Sequence, residues 1–136
     1  MRALFDTGSQ NTWILSKKTH LNSNAKSKFH NYYDESKSTS AKTLNSTKKA
    51  EAHYGTGLLS GHFITDDIRL GLQDNSTSLA QWQTANQHII HIPAFEIGII
   101  DEQDGIFDNF DFDAIVGLTY MYKDSGVRPF MDQIIS

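Results

Sequence analysis

Cysteine is absent from the 136 residues of this chain. That excludes a disulfide framework and a thiolate-bound zinc site, and it is compatible with any compartment. No apolar run approaches the ~20 residues that a membrane-spanning helix needs. Met1-Arg2 leads straight into Leu4-Phe5-Asp6, without the charged and apolar leader of a signal peptide. Internal repeats are lacking too. Basic residues are plentiful, but they stand among Ser, Asn and Thr without the aromatic or glycine-rich interleaving of a nucleic-acid module. No nucleic-acid partner is expected.

What is present suits one domain with a modest core. Hydrophobic residues make up 38% of the chain. Charge is lopsided. Residues 1–50 hold nine Lys/Arg against three Asp/Glu, a balance of +6, and residues 51–136 hold three against thirteen, a balance of −10.

The segment Leu4-Phe5-Asp6-Thr7-Gly8-Ser9, continued by Gln10-Asn11-Thr12-Trp13, stands out. An apolar run ends in a carboxylate, followed by two hydroxyls around a glycine. It reads as a buried strand that turns at Gly8, where the missing Cβ permits a sharp bend. Asp6 at the strand end would be partly desolvated, and an unsatisfied buried polar group costs about 1–3 kcal/mol. Thr7, Ser9 and the turn amides are the nearby donors. Taken alone, Asp-Thr-Gly is also the composition of an ordinary turn.

Residues 3–6 and 12–15 are expected as strands. Residues 17–49 are polar, with Phe29, Tyr32, Tyr33 and Leu44 as anchors and a surface turn over 33–39. Residues 50–72 read as two short strands around Tyr54-Gly55-Thr56-Gly57, a hairpin whose glycines (Gly61 included) suit a mobile tip. The strand over 64–70 closes at Gly71, and residues 73–86 are polar. Residues 89–100 read as one or two strands around Pro93. Residues 101–113 carry six carboxylates, Asp101, Glu102, Asp104, Asp108, Asp111 and Asp113, expected as a solvated face. Ala114-Ile115-Val116-Gly117-Leu118 reads as a buried strand with a glycine at a close backbone approach. Residues 129–135 suit a short helix, with Pro129 in its first turn and Phe130 and Ile134 on one face.

Four segments thus occur in one order: Phe5-Asp6-Thr7-Gly8-Ser9-x-Asn11-x-Trp13, Tyr54-Gly55-Thr56-Gly57-x-x-x-Gly61, Phe112-Asp113-x-Ile115-Val116-Gly117-Leu118-x-Tyr120, and the short helix. The set resembles the amino-terminal lobe of pepsin-like aspartic proteases, over nearly the whole chain. The resemblance implies an all-β fold, one lobe of the pepsin-like double barrel with a short helix near the C-terminus, as a single domain over 1–136. It implies aspartic endopeptidase chemistry with Asp6, Thr7, Gly8 and Ser9 as the catalytic segment, Asp6 as the first aspartate and Ser9 as its supporting hydroxyl. Tyr54, Gly55 and Thr56 would form a flap over substrate, and Trp13 would hydrogen-bond the Tyr54 phenol. Leu4, Phe112 and Ile115 would wall the main specificity pocket, with Ile106 or Phe107 beside them. Ile115-Val116-Gly117 would cross the catalytic loop. Hydrolysis would proceed by an aspartate-activated water, with no metal and no cofactor. A peptide or protein is the implied substrate, and the secretory pathway, a vacuole or lysosome, or the extracellular space is the implied location.

The chain also departs from that pattern. The chemistry needs two facing carboxylates, and Asp6 heads the one Asp-Thr/Ser-Gly triplet that follows an apolar strand. Asp124-Ser125-Gly126 matches in letters but follows Met121-Tyr122-Lys123. The chain therefore reads as a lobe trimmed at both ends, which needs a carboxy-terminal lobe or a second copy of itself. A homodimeric single-lobe protease, with Asp6 from each chain, and a non-catalytic peptide-binding or inhibitor-like member of the family are the alternatives. Weaker signals are read as incidental. His88-x-x-His91 has metal-ligand spacing only on a helix, and Pro93 with its isoleucines argues strand, so a surface pair is expected. The acidic stretch lacks the offsets of a calcium loop. Asn45-Ser46-Thr47 and Asn75-Ser76-Thr77 are glycosylation sequons that matter only in a secreted chain.

Overall fold

The computed structural model describes residues 1–19, 30–45, 49–55, 57–71, 90–120 and 127–135. Strands dominate them: β1 (Ala3–Asp6), β2 (Trp13–Leu15), β3 (Lys42–Thr43), β4 (Ala50–Tyr54), β5 (Gly57–Leu70), β6 (Ile90–Gln103) and β7 (Ala114–Gly117), followed by one short helix, α1 (Phe130–Ile135). The strands form a mixed sheet in the order β1-β7-β2-β6-β5-β3, with β4 paired to β5 outside that path. β1 and β7 run parallel, as do β2 and β6, whereas β2 and β7 are antiparallel.

β5 and β6 make the spine of the lobe. Each is one continuous strand of 14 residues, β5 in place of the shorter pieces expected there. Register shifts at Ser60/Gly61 and Asp66/Ile68 let the pair bend without breaking. Within the Asp66/Ile68 irregularity Ala94 adopts a φ of 50°, unusual for a residue with a side chain. Its amide donates to Asp67 Oδ1 at 3.1 Å, which helps hold that conformation.

Alternation along the strands divides the apolar residues between two clusters. Phe63, Ile100 and Ile115 join Trp13, Leu15, Leu59 and Phe107 in one. Ile64, Ile99 and Val116 join Ile97, Phe95 and Phe130 in the other. Gly98 makes room for the buried indole of Trp13, since a Cβ there would stand 2.4 Å from the ring. α1 seats Phe130 against Phe95 with ring centroids 5.8 Å apart. Gln133 Nε2 and the Arg128 guanidinium tie the helix and its lead-in to Glu96 on β6, at 3.1 and 2.8 Å.

Two expectations need correction. β1 is not a buried strand: Leu4 is 43% and Phe5 54% exposed. Among the described residues it lies at the end of the sheet, with β7 as its one neighbour. The polar stretch after β2 is anchored, where it is described, by the expected residues. Tyr33 pairs with Leu15 and Lys17 through backbone hydrogen bonds of 2.8 and 3.0 Å, a 3₁₀ turn spans Glu35–Lys37, and Tyr32, Tyr33 and Leu44 pack against the core. Phe29 lies outside the described residues. The acidic stretch, in turn, is not all solvated, because Asp108 and Asp113 are buried at 6% and 0% exposure. Specific donors, described below for Asp113, offset the cost of burying these carboxylates.

Candidate active site

Asp6 is the last residue of β1 and pairs with Gly117 on β7. Its carboxylate is half-buried, and Oδ1 accepts the Gly8 amide at 2.9 Å. The loop after it is fixed from below by the chain leaving β7. Leu118 N donates to Asp6 O at 2.9 Å, and Thr119 N to Ser9 O at 3.0 Å. Thr119 Oγ1 donates to Thr7 O at 2.9 Å. This crossing is tight: a Cβ on Gly117 would lie 2.4 Å from the carbonyl carbon of Gln10. Only glycine fits, which explains the glycine that ends the Ile115-Val116-Gly117 run.

Asp6 opens onto two clefts that share it and Tyr54. One, of about 440 Å³, is lined by Leu4, Ile106, Phe110, Phe112 and Ile115, with Asp104 and Asn109 also present. The other, of about 390 Å³, is lined by Gly8, Ser9, Gln10, Asn11, Trp13, Ala52 and His53. The expected wall of Leu4, Phe112, Ile115 and Ile106 is therefore assembled on one side of the carboxylate. Phe107 is not part of it; it is fully buried beneath, edge-on to Phe112 at 5.3 Å. Phe110 was not anticipated. It is 52% exposed and stacks on Phe112 with centroids 5.1 Å apart. Its only signal in the sequence is period-2 spacing from Phe112.

Tyr54 ends β4, and Gly55 after it adopts φ 57°, the left-handed turn that favours glycine. Thr56 lies outside the described residues. Burial pushes the Tyr54 phenol up, and the nearby charge of Asp6 adds to this, while Ser9 and Trp13 pull it back less strongly. The phenol thus stays neutral and faces both polar groups. Neither contact closes into a hydrogen bond: Ser9 Oγ and Trp13 Nε1 are buried without a partner within hydrogen-bonding distance, as are Asn11 Oδ1 and Thr12 Oγ1. No hydrogen bond of ordinary length joins Trp13 to Tyr54, although the indole lowers the phenol as a nearby donor does. Nor does Ser9 hold Asp6, whose carboxylate is held by the Gly8 amide instead.

A clasp behind the apolar wall went unread in the sequence. Asp113 accepts Arg2 N at 2.7 Å, Asn31 N at 2.9 Å and Asn31 Nδ2 at 3.2 Å. His30 Nδ1 is 3.1 Å from its Oδ1, and His30 Nε2 is 3.1 Å from Phe107 O. Burial alone would raise the Asp113 carboxyl, but these donors outweigh it and hold it below the ordinary range. The clasp ties the chain entering β1 to the residue that opens β7. Asp113 sits beside Ile115-Val116-Gly117 in sequence, but nothing in the sequence pairs it with His30.

The remaining expected signals lie outside the described residues or on the surface. Asp124-Ser125-Gly126, His88, Ser46-Thr47 and Asn75-Ser76-Thr77 are among the former. His91 is exposed and 3.3 Å from Asp67. Among the described residues, no group of three or more His, Cys, Asp or Glu is disposed to hold a metal ion, and no helix is long and apolar enough to cross a membrane.

Comparison with known proteins agrees with this geometry. The sequence model of a family described as "Asp: Eukaryotic aspartyl protease" matches residues 1–136. Cathepsin D of Homo sapiens is 30% identical over 134 residues, covering 97% of this chain and 30% of that protein. Gastricsin of Mus musculus is 33% identical over 124 residues, 90% of this chain and 26% of its own length. Aspartic proteinase A3 of Arabidopsis thaliana is 43% identical over 68 residues, 50% of this chain and 13% of that protein. The chain spans less than a third of the length of these relatives.

Proposed function

The chain belongs to the eukaryotic aspartyl protease family, and from that premise we propose that it is the first lobe of an aspartic-type endopeptidase, supplying Asp6 as one of two catalytic carboxylates and the Tyr54 hairpin as the flap. The reading rests on one observation above all. Asp6 lies where two clefts meet, beneath Tyr54, with an apolar wall to one side. A peptide running from one cleft into the other would carry its scissile bond past that carboxylate.

In the proposed reaction, Asp6 and a carboxylate from a facing loop share one proton, because like charges about 3 Å apart cannot both ionise, as aspartic proteases exemplify. The ionised member takes a proton from water, and the protonated member donates to the scissile carbonyl. Leu4, Phe110, Phe112 and Ile115 favour an apolar substrate side chain beside the cleaved bond. The single domain over 1–136 would then dock against a second lobe, and the compartment would be a secretory, vacuolar, lysosomal or extracellular one. The test is Asp6→Asn in the full-length protein, with turnover of an unstructured protein substrate measured in acid. Turnover should fall by several orders of magnitude with folding intact, and retained turnover would remove Asp6 from the mechanism.

The position of β1 favours a second reading. Among the described residues β1 has one paired edge, and a second copy of the chain could pair with the other edge while bringing its own Asp6. Sedimentation of the purified chain, paired with the same cleavage assay, separates the two readings: an active dimer supports the two-chain enzyme.

A further inference from the structure

A cleft of about 580 Å³ contains neither Asp6 nor Tyr54. In it His62 lies between two carboxylates from different elements. His62 Nδ1 is 2.7 Å from Asp101 Oδ2, and His62 Nε2 is 3.0 Å from Glu35 Oε2. Asp101 is on β6 and Glu35 is on the 3₁₀ turn. The second oxygen of Asp101 accepts Ser16 Oγ at 3.1 Å. Glu35 and Asp101 occupy opposite edges of the ring, so the three groups cannot converge on one metal ion.

The place of this cluster in the sheet gives it a role. β4 pairs with β5 from Tyr54–Gly57 down to Ala50–Gly61, so His62 is the first residue beyond the hairpin that carries Tyr54. At that root the β5–β6 register shifts: Ser60 faces Glu102 and Gly61 faces Ile100, leaving Asp101 as the extra residue. A bulge re-aims a side chain, and here it turns the Asp101 carboxylate toward the His62 ring. Gly61 permits the bulge, because a Cβ there would stand 1.8 Å from Ile99 O.

We propose that His62 is a positioning residue for the Tyr54 hairpin: its doubly protonated ring clamps the hairpin root to β6 and to the 3₁₀ turn in acid, and the clamp opens toward neutral pH. The proposal rests on reading that hairpin as the flap. Carboxylates only accept hydrogen bonds, so both bonds exist together only when both ring nitrogens carry protons. A neutral imidazole has one donor and one lone pair, and that lone pair would face a carboxylate. The other charged and titratable groups lining this cleft are Lys17, Lys18, Asp34 and Tyr33. Lys17 and Asp34 pair with each other at 2.7 Å. Burial of the His62 ring disfavours its charge, but Glu35 and Asp101 outweigh this and raise it above its ordinary 6.5. A raised value means that the clamp is complete below about pH 6.5 and is lost as pH rises through the folded-state value.

The test uses the chain itself, with NMR titration of His62 and amide hydrogen exchange corrected for intrinsic rates. The His62 midpoint should exceed 6.5. Exchange of the amides at 34–38 and 58–63 should quicken by about tenfold between pH 5 and pH 8, as one opening interaction is lost. His62→Gln should abolish that step while leaving the amides of β7 unchanged, and Glu35→Gln should lower the His62 midpoint. A midpoint at or below 6.5, the same step in His62→Gln, or a step confined to 34–38 that spares the hairpin would each overturn the proposal. Neither readout depends on Asp6 or on cleavage, so this failure is distinguishable from failure of the peptidase reading.

Discussion

Two residues carry predictions of their own. Tyr54 presents a neutral phenol to the space above Asp6, with Ser9 and Trp13 behind it. If its interactions with substrate strengthen as the transition state forms, Tyr54→Ala should lower kcat with little change in KM. A raised KM at constant kcat would mean that Tyr54 contributes only uniform binding. Asp113 is the most demanding buried group, with three donors from Arg2 and Asn31 and His30 beside it. Asp113→Asn should destabilise the fold by about 1–3 kcal/mol for each donor left unpaired. The Asp113 carboxyl is held low, so its contribution is present above the unfolded-state value of about 3.9 and is lost as pH falls through the lower folded value. Urea unfolding should therefore show a larger difference between wild type and variant at pH 6 than at pH 2.

At the scale of elements, the loop that follows Asp6 depends on the segment passing beneath it. β1 is short and has one paired edge among the described residues, so it cannot hold residues 6–11 in place alone. Leu118 and Thr119, leaving β7, supply the missing hydrogen bonds to Asp6, Thr7 and Ser9. The two segments touch at Gly117, where the nearest atoms are backbone and cannot rotate aside. Gly117→Ala should cost about 1–3 kcal/mol or more from overpacking. Its amide chemical-shift changes should concentrate at residues 6–11 rather than in α1. Changes spread evenly over the sheet would mean that this crossing does not set the loop.

At the scale of the whole molecule, apolar residues of and around β1 stand in water among the described residues. Met1, Leu4 and Phe5 are 57%, 43% and 54% exposed, and Tyr120 is 83% exposed. An unpaired strand with apolar side chains tends to recruit another chain. One carboxylate also cannot act as base and acid in the same step. The isolated 136-residue chain should accordingly self-associate and show no cleavage as a monomer. Sedimentation across a concentration series, with an assay of an unstructured substrate from about pH 3 to 7, around the carboxylate reference values, checks this. Cleavage by a stable monomer would refute it.

The class of the fold and the family were legible in the sequence, as were the short segments singled out for the candidate site. They were legible because those features are local. Apolar patterning marks β5 and β6, a continuous apolar run marks β7, glycine marks the turn at Gly8 and the crossing at Gly117, and Asp6, Tyr54 and Trp13 sit in short motifs. Tertiary structure alone decided what depends on neighbours distant in the chain. Leu4 and Phe5 read as core, yet among the described residues only one strand lies beside them. Asp108 and Asp113 read as solvated, yet donors 5 and 111 residues away are folded onto them. His62 carries no motif at all. Its partners, Glu35 and Asp101, lie 27 and 39 residues away and meet it only because a bulge at Gly61 turns Asp101 inward. Charge and hydrophobicity are properties of a residue, but burial and pairing are properties of its surroundings, and those are settled when the strands align.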